Sequence, residues 1–94
     1  MSEFTRKELY DLLNRPGPLW LVKADLSGSN LSKARLSGAH LSESNLVKAD
    51  LSRADLRKAD LTGANLNKAK VTLKQLAMAK SLKGATMPDG TKHK

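Results

Sequence analysis

Leucine returns every five residues, at positions 21, 26, 31, 36, 41, 46, 51, 56, 61 and 66, and Val71 takes the next place. This spacing suits neither standard element. On an α-helix each step of five turns the next leucine about 140° around the axis, so no apolar face accumulates. On a β-strand an odd step sends alternate leucines to opposite faces. The leucines share one interior only if every five residues make the same bend. The period therefore predicts a solenoid coil.

The neighbours of each leucine follow the same rule. Two residues before it, from 24 to 69, stands only Ala or Ser. A second inward position must be small, because leucine already fills a narrow interior. Directly before it, from 25 to 70, stands Asp or Asn in seven of ten units, as in Ala-Asp-Leu-Ser-Arg and Ala-Asn-Leu-Asn-Lys. This core rule accounts for a composition that otherwise looks coreless. Only 39% of the 94 residues are hydrophobic, and Phe4, Tyr10 and Trp20 are the only aromatics. Cysteine is absent, so neither a disulfide nor a thiolate metal site can reinforce the fold. The length allows one domain.

The units from Lys23 to Val71 resemble the pentapeptide-repeat proteins, whose motif is Ala-(Asp/Asn)-Leu-X-X. The resemblance covers roughly residues 19 to 71 and continues in weaker form to the C-terminus. It implies an all-β solenoid, a right-handed quadrilateral β-helix with four units per coil and about three coils here. Residues twenty apart then stack at about 4.8 Å, the spacing of hydrogen-bonded strands. Leu21, Leu41 and Leu61 form one ladder, and Leu26, Leu46 and Leu66 a second. Leu31, Leu51 and Val71 form a third, and Leu36 and Leu56 a fourth. These eleven residues are the expected core.

Short helical caps are expected at both ends, because an open solenoid end exposes apolar side chains and unpaired backbone. Residues 1–18 form the N-terminal cap, 19–71 the coils, and 72–94 the C-terminal cap, a partial repeat and a tail. Thr5 and Glu8 have capping-box spacing, and Phe4 and Leu9 staple spacing. A helix from about Arg6 to Leu13 follows, with Leu9, Leu12 and Leu13 on one side. Pro16-Gly17-Pro18 ends it. At the back, Thr72 and Gln75 repeat the box and Val71 and Leu76 the staple. This predicts a helix from about Leu73 to Lys80, with Leu73, Leu76 and Ala77 inward and Gly84 as its stop. Ala85-Thr86-Met87 resembles one more partial unit, Pro88-Asp89-Gly90 a turn, and residues 91–94 a frayed end. The stretch from Gln75 to Gly90 also resembles the ends of many bacterial pentapeptide-repeat proteins.

No catalytic, cofactor-binding or metal constellation is legible, and the chain is not expected to be an enzyme. His93 lies in the basic tail. His40 holds an outward motif position, between Trp20 and Asp60 in a four-unit coil, with no nucleophile or cofactor motif beside it. Asp25, Asp50, Asp55 and Asp60 recur as motif residues, and Gly28, Gly38 and Gly63 as turn residues.

Partner binding remains. Trp20 stands in the outward slot where the motif expects Asp or Asn, and Val22 also points outward. The pair suits a partner surface unless the N-terminal cap or the Pro16-Gly17-Pro18 segment covers it, and covering is the expectation. The net charge is +8, with 17 Lys and Arg against 9 Asp and Glu. Within the coils, bases recur at the last position of the unit, at Lys23, Lys33, Lys48, Arg53, Lys58 and Lys68. By stacking, Lys33 lies over Arg53 and Lys48 over Lys68, with Arg35, Arg57 and Lys70 nearby. The wall of residues 39–43 and 59–63 is neutral or acidic.

The first expectation is a structural or protein-interaction module of unknown partner, presenting Trp20, Val22, Lys33, Arg35, Lys48, Arg53, Arg57, Lys58, Lys68 and Lys70. The alternative is weak, sequence-independent binding of nucleic acid or another polyanion by the Lys/Arg walls. Lysine also blocks association of β edges, which serves solubility alone. Some pentapeptide-repeat proteins mimic DNA and inhibit topoisomerases, but that mimicry needs a long negative rod, and this chain is short and positive. No run of about eighteen apolar residues exists to span a membrane, and Met1 to Asp11 does not read as a secretory signal, so a cytoplasmic setting is expected. The chain is expected as a monomer, or as a homodimer if Trp20 and the ends leave apolar surface exposed.

Overall fold

The bend that the period demands is made at the fifth residue of each unit. A computed structural model describes residues 5–14 and 19–94. In it, Lys23, Lys33, Glu43, Lys48, Arg53, Lys58 and Lys68 all have φ between 58° and 62°, and Gly28, Gly38 and Gly63 lie between 67° and 71°. The next residue's N–H donates back across the bend, Ala24 to the Leu21 carbonyl at 3.1 Å and Ala49 to that of Leu46 at 3.0 Å. A positive φ at the third turn residue with this bond is the signature of a type II turn. One such turn per unit makes a corner, and four corners close a coil.

Register confirms the count of four. Parallel bridges join residues twenty apart, Trp20 to His40 to Asp60, Asp25 to Asn45 to Asn65, Asn30 to Asp50 to Lys70, and Arg35 to Asp55. They define four walls. Wall 1 holds 19–23, 39–43 and 59–63. Wall 2 holds 24–28, 44–48 and 64–68. Wall 3 holds 29–33, 49–53 and 69–72. Wall 4 holds 34–38 and 54–58. Backbone bonds link each rung to the next, as when Leu26 N–H donates to Asn45 O at 2.8 Å and Asn45 N–H to Ala24 O at 2.9 Å.

The ten repeat leucines, Leu21 to Leu66, are buried with the alanines two residues before them. Val71, expected in the core, is only partly buried and packs at its margin, because the chain leaves the coil directly after it. Ser29 and Ser44 occupy the small inward slot, and their buried hydroxyls have no hydrogen-bond partner.

At the front, α1 (Arg6–Leu13) forms as expected. Glu8 N–H donates to Thr5 Oγ1 at 3.1 Å, and Thr5 N–H to Glu8 Oε1 at 2.9 Å, which completes the capping box. Leu13 packs against the core. The expected Phe4–Leu9 staple, the Pro16-Gly17-Pro18 stop and the inward faces of Leu9 and Leu12 lie outside the described residues.

At the back, α2 (Leu73–Ala77) is shorter than the expected 73–80. Its capping box is complete, with Thr72 as N-cap and Gln75 bonding back. Only Leu76 is buried, while Leu73 is 74% exposed and Ala77 is exposed. The helix stops early because the chain must rejoin the coil. Lys58 N–H donates to Met78 O at 2.9 Å, and Lys80 N–H to Ala59 O at 2.8 Å. α2 thus stands where wall 4 would have its third rung. Gln75 completes the exchange. In the coil above, Ala34 O accepts from the backbone N–H of Asp55 at 2.9 Å. One rung down, Ala54 O accepts instead from the side-chain Nε2 of Gln75 at 3.0 Å, and Leu51 O from the same atom at 2.8 Å.

After α2 the register lengthens to twenty-one residues, with Asp60 bridged to Ser81 and Asn65 to Thr86. Gly84, at φ 72°, is a further corner and not the helix stop. Ala85 is buried, as a partial unit requires. The expectation of a frayed end is also corrected. Thr86 bridges Lys92 in antiparallel fashion, Met87 N–H donates to Thr91 O at 2.7 Å, and His93 N–H to Ala85 O at 2.8 Å. The tail folds back and pairs with the last rung because Pro88-Asp89-Gly90 reverses it, with Gly90 at φ 88°.

Candidate interaction surface

The motif Asp and Asn residues are occupied by the coil itself. Each side-chain Oδ1 accepts from the N–H two residues on, as in Asn30 from Ser32, Asn45 from Val47, Asp50 from Ser52, Asp60 from Thr62 and Asn65 from Asn67, at 3.0–3.1 Å. Where that residue is Ser or Thr its hydroxyl donates as well, at 2.6 Å in both Asn30–Ser32 and Asp60–Thr62. This local bond explains why the repeat prefers Asp or Asn directly before leucine. It also holds the carboxyls of Asp25, Asp50 and Asp60 below their ordinary value, through the hydroxyls and then the N–H groups of Ser27, Ser52 and Thr62. Arg57 does the same for Asp55, donating Nε to Oδ1 at 2.9 Å and Nη2 to Oδ2 at 2.7 Å. Among the described residues no group of three or more His, Cys, Asp or Glu is placed to hold a metal ion.

Against this background the departures stand out. Trp20, Arg35, His40 and Lys70 occupy the same slot without an Asp or Asn side chain. At Lys70 the reason is local, since the Thr72 N–H it would engage already donates to Gln75 Oε1 at 2.9 Å. At Trp20 and His40 the side chains stack on each other instead. Their rings stack on wall 1 with centroids 3.7 Å apart and planes 8° from parallel. Trp20 and Val22, expected to be covered, are instead 74% and 45% exposed. His40 lies between Trp20 and Asp60 in register, as expected. His93 is exposed, and its backbone pairs with Gly84 and Ala85.

The corners divide the remaining charge unevenly. Between walls 1 and 2, Lys23, Glu43 and Gly63 stack, and Lys23 Nζ lies 3.8 Å from Glu43 Oε2. Between walls 2 and 3 the stack is Gly28, Lys48 and Lys68, and between walls 3 and 4 it is Lys33 and Arg53. Lys58 follows Gly38 at the fourth corner. Wall 3 is therefore edged by four cations, carries Lys70, and has Asp50 as its one acidic residue. Wall 4 carries Arg35, and Arg57 paired to Asp55. The structure thus gathers the basic candidates on walls 3 and 4 and sets Trp20 and Val22 apart on wall 1. The positive-φ corners went unread in the sequence, where only Gly28, Gly38 and Gly63 hinted at them.

Comparison with known proteins agrees with this architecture. The family model for pentapeptide repeats matches residues 21–57 and 34–72, with eight copies. The crystal structure of alr5209, a pentapeptide-repeat protein of Nostoc PCC 7120, is 43% identical at a TM-score of 0.51, over 76% of this chain and 58% of its own. HetL, a pentapeptide-repeat protein of the same cyanobacterium involved in heterocyst differentiation regulation, is 34% identical at a TM-score of 0.37, over 79% of this chain and 43% of its own. The chain thus spans well under two thirds of either solved protein. No curated protein matches it. The fold of the matched family is the right-handed quadrilateral β-helix, in keeping with the twenty-residue register found here. By its repeats, its register, the family-model match and the likeness to alr5209, the chain belongs to the pentapeptide-repeat family.

Proposed function

We propose that the chain is a non-enzymatic structural or protein-interaction module, a solenoid of about three coils with one helical segment before the coils and a second set into the last of them. One observation carries the reading. Trp20, in a slot that seven of the ten following units fill with Asp or Asn, is 74% exposed and stacked on His40. A large aromatic stacked in solvent is suited to a partner surface. A cytoplasmic setting, as monomer or homodimer, goes with this proposal. The test is affinity capture from the native cell at moderate salt. Wild type retains a specific partner, and Trp20→Asp or the loss of basic wall residues weakens its retention. Failure to retain any partner overturns the reading.

A second reading, weak binding of nucleic acid or another polyanion, is favoured by the like-charged stacks of Lys48 on Lys68 and Lys33 on Arg53. Its test is Trp20 fluorescence or polarisation on addition of duplex DNA, with affinity falling steeply in salt. Lack of a response at low salt eliminates it.

A further inference from the structure

Five cations frame wall 3, and four of them sit where the backbone favours another residue. Lys33, Lys48, Arg53 and Lys68 have φ of 62°, 59°, 61° and 62°. An L-residue with a Cβ is strained there and glycine is not, and the chain does use glycine at the equivalent Gly28, Gly38 and Gly63. The four are also stacked as like charges, Lys48 over Lys68 and Lys33 over Arg53, at the roughly 4.8 Å spacing of bonded strands. The corner between walls 1 and 2 shows the alternative, a Lys23–Glu43 pair. Lys23, Glu43 and Lys58 share the same positive φ, so that conformation belongs to the repeat as a whole. The same-sign stacking is found only at the two corners of wall 3, and solubility alone does not call for it. Lys70 adds a fifth positive charge to the same wall.

On the face between these corners the Ser32 and Ser52 hydroxyls and the Oδ1 atoms of Asn30 and Asp50 are already engaged. Ser32 Oγ donates to Asn30 Oδ1 and Ser52 Oγ to Asp50 Oδ1. The wall therefore offers a partner cations at its edges and one fixed carboxylate, Asp50, near its middle. We infer that wall 3 is the docking face for an acidic protein surface, whose carboxylates pair with Lys33, Lys48, Arg53, Lys68 and Lys70. A protein is favoured over nucleic acid because Asp50 repels a continuous phosphate backbone, while a folded surface can leave a gap in its carboxylates opposite it. The chain's exposed aromatic stack, the group that would hold bases, lies on wall 1 instead. This rests on the reading of the chain as a protein-interaction module.

The test compares two full-length variants of equal charge loss. One carries Lys33→Gln, Lys48→Gln, Arg53→Gln and Lys68→Gln. The control carries Lys74→Gln, Lys80→Gln, Lys83→Gln and Lys92→Gln, all at exposed positions outside wall 3. Circular dichroism and thermal melting establish that both fold. The probes are a fluorescein-labelled polyglutamate peptide and a duplex DNA of similar charge, followed by polarisation across a salt series. Polyglutamate affinity should fall about tenfold or more in the wall 3 variant and about twofold or less in the control. Equal losses in the two variants overturn the assignment of the face. Tighter binding of duplex DNA than of polyglutamate, lost in the wall 3 variant, overturns the protein partner in favour of nucleic acid. If the native partner is retained equally by wild type and the wall 3 variant, this inference fails while the module reading stands.

Discussion

The side-chain Nε2 of Gln75 donates to the carbonyl of Ala54 at 3.0 Å, a carbonyl position that in the coil above is served by a backbone N–H. Gln75 therefore does two jobs, closing the capping box of α2 and ending wall 4. Gln75→Ala should cost about 1–3 kcal/mol, because two carbonyls lose a donor. Gln75→Glu separates the jobs. It keeps an acceptor for Thr72 N–H but puts a carboxylate against the carbonyls of Leu51 and Ala54. It should destabilise at least as much as the alanine in urea unfolding, and a neutral result would show that only the capping box matters.

Ser44 lies in the small inward slot between Ala24 and Ala64, and its hydroxyl has no partner. Ser44→Ala should stabilise by about 1 kcal/mol, because a desolvated unpaired hydroxyl is removed and the volume hardly changes. Ser29→Ala should act in the same direction. Ser44→Val should destabilise, since the slot beside the leucines has no room for a branched side chain. Thermal melting of the three variants decides.

Arg35 occupies a slot where Asp or Asn bonds the residue two places on, and Ser37 stands there ready to donate. Arg35→Asn should add the local bond seen between Asn30 and Ser32 and stabilise by about 0.5–1.5 kcal/mol. Unchanged stability would mean that the bond contributes nothing net.

Gly28 and Gly63 both have positive φ, at 67° and 70°, but their surroundings differ. A Cβ at Gly28 meets nothing within 4 Å, whereas at Gly63 it comes 3.2 Å from Glu43 Cγ. Gly28→Ala should therefore cost about 1 kcal/mol, from conformation alone. Gly63→Ala should cost somewhat more, and the excess should shrink when Glu43 is also changed to Ala. Equal costs in the two single variants would place the whole effect in the backbone.

The hydrogen bonds to Asp25, Asp50, Asp55, Asp60 and Asp89 hold these carboxyls lower in the folded chain than in the unfolded one. Their contribution is complete above the unfolded value of about 3.9 and fades as pH falls through the lower folded values. Stability should therefore drop below about pH 4. Replacing Asp25, Asp50 and Asp60 by Asn should flatten that drop, because the acceptor remains and the titration goes. Denaturation midpoints between pH 6 and pH 2 provide the measurement.

The repeating part of the fold was legible and its ends were not. Leu26, Leu46 and Leu66 announce a common interior because the same signal recurs, so local accidents average out. The turn at Lys33 or Lys58 was hidden, since lysine carries no mark of positive φ. Each end feature depends on a single residue meeting a distant group. Gln75 reads as a capping residue, and nothing local reveals that its amide reaches Leu51 and Ala54. Leu73 fits an inward helical face, yet the early return at Met78 and Lys80 leaves it in solvent. The tail reads as polar and loose, but its backbone finds Ala85 and Met87. Of the candidate surface, the stacking of Lys48 on Lys68 followed from the register, whereas the exposed Trp20–His40 contact depended on what lies over it.

The reversed tail has a consequence for growth. A parallel coil hands on at its lower edge the same order of donors and acceptors that it received from above, so an identical copy could in principle be added without limit. On wall 2 that inheritance stops at Thr86, where residues 91–93 run in the opposite direction. Whatever approaches that rung from outside meets a strand of the wrong polarity for another parallel coil. Residues 91–93 thus give this edge of wall 2 an antiparallel rung in place of another parallel one.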